Sequence, residues 1–101
     1  MDTARSQNGV PIRLTGERWF HITEGHGELA GHYFDVLETV EEPDAIYEGK
    51  AGEMLAVRQV EPGRYLVVVY QETGQDDGFI VTAFLTGRLG PIQRRKRIWP
   101  P

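Results

Sequence analysis

Residues 12–39 read IRLTGERWFHITEGHGELAGHYFDVLET. The stretch holds all three histidines, one of the two tryptophans and the best helix-start signal of the chain. Ile12-Arg13-Leu14 alternates after Pro11, which predicts a short strand or an extended lead-in. Thr15 offers an N-cap hydroxyl. Glu17 falls in the first turn, where an acid suits the helix dipole, and Arg18 stands where a complete capping box has Glu. The spacing predicts a helix over 15–25, ended by Gly25 and Gly27. On its wheel Arg18, Trp19, Ile22 and His26 share a broad face, Phe20 points elsewhere, and His21 lies on the flank beside Arg18. A second helix is expected over 28–41, because Leu29, Tyr33, Val36, Leu37 and Val40 recur at helical spacing. Gly31 weakens it by about 1 kcal/mol relative to Ala, and Pro43 stops it.

Downstream of Pro43 the hydrophobic period shortens to two. Strands are expected over 45–48, 53–60, 64–72 and 79–86. Glu61-Pro62-Gly63 and Asp76-Asp77-Gly78 supply the turns between the last three, and connections this short favour an antiparallel meander. The run LVVVY is apolar on both faces and belongs at the centre. Residues 92–99 add an edge strand or lie as a basic tail. The expected fold is α+β, two N-terminal helices packed on a four- to five-stranded antiparallel sheet. Residues 1–11 are expected as a flexible leader, and 12–99 as one domain ending in a basic segment, 88–99.

The totals suit that picture. The 101 residues make one domain by length. Hydrophobic content of 40% and charged content of 26% are ordinary for a globular chain. No apolar run approaches the roughly 18 residues of a membrane span, and MDTARSQNG lacks the apolar core of a secretory signal. The chain has no cysteine, which excludes disulfides and thiolate zinc sites. A cytoplasmic setting without membrane contact is expected. Net charge is −4, unevenly spread. Residues 1–87 hold 6 Lys+Arg against 15 Asp+Glu, while 88–101 hold Arg88, Arg94, Arg95, Lys96 and Arg97 and no acid. Clustered basic groups can bind phosphate on a protein that is acidic overall.

Three groups of residues can carry chemistry. His21 and His26 are five apart, unlike the i, i+4 pair of a helical metal site, and no second cluster of His with carboxylates has metal spacing. No metal and no cofactor are expected. His21, flanking Arg18, is the candidate for proton transfer at neutral pH. His26 shares the face of Trp19 and packs or caps there, and His32 is assigned to solvent. On the strands, parity collects Arg58, Tyr70 and Thr82 on one apolar face, as a polar island that holds a phosphate or as strand-end residues that are simply solvated. In the tail, Arg94, Arg95, Lys96 and Arg97 precede Trp99, a combination of cations for phosphate and an aromatic for a base.

RLTGERWFHI over 13–22, Glu28-Leu29, VLETVEEPDAIYEG over 36–49, EMLAVRQV, YLVVVYQE, DGFIVTAFLT and the final RRKRIW, in that order, resemble the small phage and bacterial proteins of the barnase–EndoU–colicin–RelE-like nuclease group. The resemblance runs from about Ile12 to Trp99. It implies a two-helix plus antiparallel-sheet fold and metal-independent cleavage of RNA, of toxin or phage type, with a protein inhibitor as a possible partner. By position it singles out Arg18, His21, His26 and Thr82. Relatives commonly read His-Pro-Glu where this chain has His26-Gly27-Glu28. Arg58 and Tyr70 come from strand parity alone. RNA brings its own nucleophile, the 2′-OH, so the protein must move two protons and hold a phosphate. His26 and Tyr70 are the candidates for the second proton-transfer group. A non-catalytic RNA-binding module and a protein-interaction module on the same fold remain the competing readings.

Overall fold

A computed structural model describes residues 1–101. Seven strands form one sheet: β1 Asp2–Arg5, β2 Pro11–Leu14, β3 Ala45–Glu48, β4 Met54–Glu61, β5 Arg64–Glu72, β6 Gly78–Thr86 and β7 Arg97–Trp99. Their order across the sheet is β1-β2-β6-β5-β4-β3-β7. Helices α1 Gly16–Gly25 and α2 Tyr33–Glu41 separate β2 from β3, with a 3₁₀ turn at Gly27–Leu29 between them, and a one-turn helix α3 Gly90–Gln93 precedes β7. No helix is long and apolar enough to cross a membrane.

The four middle strands pair antiparallel, β3 with β4, β4 with β5 and β5 with β6. The four- to five-stranded, all-antiparallel sheet expected from the sequence is nevertheless wrong. The sheet has seven strands and is mixed, because β2 runs parallel to β6 with Ile12 opposite Gly78 and Arg13 opposite Phe79. At Gly78 an added Cβ would lie 2.6 Å from both the Gln71 carbonyl oxygen and Ile12 Cδ1, so the absence of a side chain is what lets β2 come this close. A parallel pair needs a long crossover, and the whole run through α1, α2 and the meander supplies it.

The expected flexible leader is structured as well. Asp2–Arg5 pairs antiparallel with Pro11–Leu14. Only Ala4 of that edge strand is buried, so it carries no hydrophobic alternation to read. Asn8-Gly9 marks its turn. The single helix expected over 28–41 is broken as well. Gly31 has φ +89°, in the left-handed region, and α2 starts only at Tyr33.

Helices α1 and α2 cover one face of the sheet. Ile22, Leu29, Val36 and Val40 meet Ile12, Leu14, Leu66, Val68, Tyr70, Ile80 and Ala83 in the main core. Fully burying each aliphatic side chain of this kind contributes about 1.5–3 kcal/mol. On the other face Tyr47, Leu55, Val57 and Val67 are closed over by Ile92 of α3. The C-terminal segment is therefore a cover and an edge strand, with its basic groups left outside.

Candidate functional site

The end of β2 and the start of α1 build the site. Thr15 is extended (φ −82°, ψ 156°), and its Oγ1 accepts the Arg18 backbone N–H at 3.1 Å, which fixes the first turn of α1. That turn carries Glu17 and Arg18, and His21 follows one turn later on the same surface. Thr15, Glu17, Arg18 and His21 line a cleft of about 220 Å³ with no apolar side chain in its wall. A second cleft of about 200 Å³ shares Thr15 and Arg18 and extends to Arg13, Phe79 and Ile80. The two together run from the outer face of α1 to the junction of β2 with β6.

The cations in this region are differently engaged. Arg13 donates from Nε and Nη2 to the two carboxylate oxygens of Asp77, at 2.8 and 3.0 Å. The hydrogen bond to Asp77 raises the Arg13 pKa, and the same bond holds the Asp77 carboxyl below the usual carboxylate range. The Arg18 guanidinium, by contrast, has neither an ion pair nor a hydrogen bond, and only its backbone N–H is used. His21 is 59% exposed, and its nearest charged partner is Glu24, with Nδ1 3.8 Å from Oε1. An imidazole, a carboxylate, a free guanidinium and a hydroxyl thus face one solvent-open cleft. Such a set can move protons and grip an anion.

The other expected site residues lie elsewhere. His26 is the C-cap of α1; its backbone N–H bonds the Ile22 carbonyl at 2.8 Å, its ring tilts against Phe84 at 6.2 Å, and Nδ1 lies 3.4 Å from Glu28. The polar island of Arg58, Tyr70 and Thr82 does not form. A bulge between β5 and β6 leaves Val81 unpaired, so Tyr70 opposes Ile80 while Val69 opposes Thr82. One extra residue turns Thr82 to the face opposite Tyr70. Tyr70 is completely buried in the main core, and burial, with the charge of Glu72 second, raises its pKa far above neutrality. It cannot serve as the second proton-transfer group. Arg58 sits on the helix side and forms an ion pair with Glu38 of α2, Nη1 to Oε1 at 2.9 Å. Arg94, Arg95 and Arg97 lie at or beside β7, four strands from β6. At about 4.8 Å per strand that is roughly 19 Å along the sheet.

Two groups were missed in the sequence. Glu17 reads there only as a dipole partner, yet it shares the cleft of His21. His32, assigned to solvent, is half-buried and holds Asp35 through Nδ1 at 2.9 Å. It lines a separate cleft of about 250 Å³ with Asp35, Thr39, Arg58, Gln59 and Val60. The i, i+3 spacing of His32 and Asp35 was the available signal. No three His, Asp or Glu side chains are grouped as metal ligands. Comparison of the chain with protein-family models, with curated proteins and with solved structures finds no match.

Proposed function

We propose that the cleft at the start of α1 cleaves RNA by attack of the 2′-OH on the adjacent phosphate, without a metal. The observation that carries this reading is the lining of that one open cleft by Glu17, Arg18, His21 and Thr15. Each part of the reaction has a residue type suited to it. The Glu17 carboxylate takes the 2′-OH proton as the oxygen attacks phosphorus. The bond from phosphorus to the 5′-oxygen breaks, and His21 in its protonated form supplies the proton to that leaving oxygen. Arg18, having no protein partner, offers its planar fork to the non-bridging phosphate oxygens and to the charge that builds on them. The products are a 2′,3′-cyclic phosphate and a 5′-hydroxyl end. The resemblance of RLTGERWFHI to the nuclease group points to the same two residues, Arg18 and His21.

The test is incubation of the pure protein with RNA in EDTA, followed by analysis of the ends. Cyclic phosphate and 5′-hydroxyl ends are expected. Binding of RNA that falls with salt, with no cleavage, would select the non-catalytic binding module instead. Absence of binding at low salt would select the protein-interaction module.

A further inference from the structure

We infer that the substrate is single-stranded, and that Phe20 is the platform on which the base beside the scissile phosphate stacks. This rests on the ribonuclease reading of the α1 cleft and names its substrate class. Phe20 lies in the middle of α1, 61% exposed, between half-buried Trp19 and the exposed His21. It adds nothing to either core cluster. Trp19, by contrast, packs against the main core and meets Tyr33 edge-on at 5.3 Å. A large aromatic held in water on a helix whose neighbours do the packing is free to meet a ligand.

Its place relative to the cleft gives the ligand. At about 100° per residue, His21 sits between Arg18 and Phe20 around α1, about 60° from the first and 100° from the second. The Phe20 ring is edge-on to the His21 imidazole at 6.2 Å. A nucleotide has the same order of parts, with the sugar between phosphate and base. A phosphate on Arg18 puts the reacting sugar oxygens over His21 and carries the base onward to Phe20. The charges agree with this direction. Glu17 and Glu24 lie on the same outer face of α1, and Glu24 is the acid nearest His21. They repel a phosphate but not an uncharged base, so the backbone keeps to the Arg18 side. A base paired within a duplex is stacked on its neighbours and presents no free face, so only an unpaired strand can use the platform.

The experiment uses a short single-stranded RNA with 2′-deoxy sugars at the cleavable positions, which binds without being cut. Phe20→Ala is expected to weaken its affinity about 5- to 150-fold, the range of one base–aromatic stack. Phe20→Trp retains affinity. Phe34→Ala, which removes the 73% exposed aromatic of α2, leaves affinity unchanged. An oligonucleotide with an abasic nucleotide at the stacked position binds wild type and Phe20→Ala alike. Equal affinity of wild type and Phe20→Ala for the base-bearing strand overturns the stacking. Cleavable RNA, assayed with the same preparations, separates that failure from failure of the reaction itself. Cleavage lost in His21→Ala keeps the ribonuclease reading even when the stacking fails. Phe20-dependent binding without cleavage overturns the ribonuclease reading and keeps the platform.

Discussion

Two clefts of similar size flank the helices, and they treat polar side chains in opposite ways. In the cleft beside α2 every charged group is already engaged. His32 holds Asp35 at 2.9 Å, Arg58 holds Glu38 at 2.9 Å, and Thr39 returns its hydroxyl to the Asp35 carbonyl at 2.7 Å. In the cleft at the start of α1 the Arg18 guanidinium has no partner, and the nearest carboxylate to His21 stands off at 3.8 Å. The first arrangement ties β4 to α2. The second leaves an imidazole and a guanidinium available to a ligand at no structural cost. A His with an acid nearby does not by itself separate the two clefts; what distinguishes them is which groups have no protein partner.

The largest effects expected from that difference are on cleavage. Arg18→Ala and Glu17→Gln should each lower the rate about 10²- to 10³-fold, as loss of one charge-stabilising or proton-transfer group does. Arg18→Lys should recover part of the loss, since a point charge lacks the planar fork. Breaking the α2 cleft with Arg58→Met should leave the rate near wild type and change stability by about 1 kcal/mol or less, because the Arg58–Glu38 pair is partly exposed. Single-turnover rates and denaturant melts of the variants check both halves.

A smaller effect separates the α1 cleft from the basic C-terminal segment. Replacing Arg94, Arg95, Lys96 and Arg97 with Gln should weaken RNA affinity roughly tenfold at low salt and flatten its salt dependence. Cleavage of bound RNA should persist, because β7 lies at the far edge of the sheet. An unchanged salt slope would show that this segment does not touch phosphate.

The division between the two clefts also explains what could be read in advance. Period-two patterning and short turns marked the four middle strands, which all feed the main core on one face, while β3, β4 and β5 also feed the second core on the other. The edge strand Asp2–Arg5 buries one residue in four and leaves no alternation, so Asn8-Gly9 was the only local signal for it. The bulge at Val81 has no signature in FIVTAF, yet it moved Thr82 to the other face and dissolved the expected island. That Arg18 and His21 share one surface of α1 was legible because helical spacing needs no long-range register. Glu17 and the His32–Asp35 pair were equally local, but their roles as a cleft wall and as a structural tie depend on what packs beside them.

The smallest effect lies on the α2 side, at high pH. Tyr33 donates to Asp2 at 2.6 Å and so ties β1 to α2. That hydrogen bond, with burial and the Asp2 charge behind it, pushes the Tyr33 pKa up to about 12. The unfolded chain loses this proton near the ordinary value of about 10. The contribution is therefore whole below pH 10 and is lost as pH rises towards 12, the unfolded state binding fewer protons in that window. Tyr70, raised by burial, adds in the same direction. Denaturant melts between pH 9 and pH 12 should show a decline in stability that is shallower in Tyr33→Phe, with no corresponding change in the α1 cleft.

The contrast between the clefts is tested most directly by one paired assay, cleavage of single-stranded RNA in EDTA by folded His21→Ala and folded His32→Ala. His21→Ala should lose cleavage by at least about 10²-fold while changing stability by less than about 1 kcal/mol, as exposed substitutions do. His32→Ala should cleave at the wild-type rate and lose about 1 kcal/mol or less from its tie to Asp35. Wild-type cleavage by His21→Ala, or its loss in a fully folded His32→Ala, would contradict the assignment of the α1 cleft as the working site.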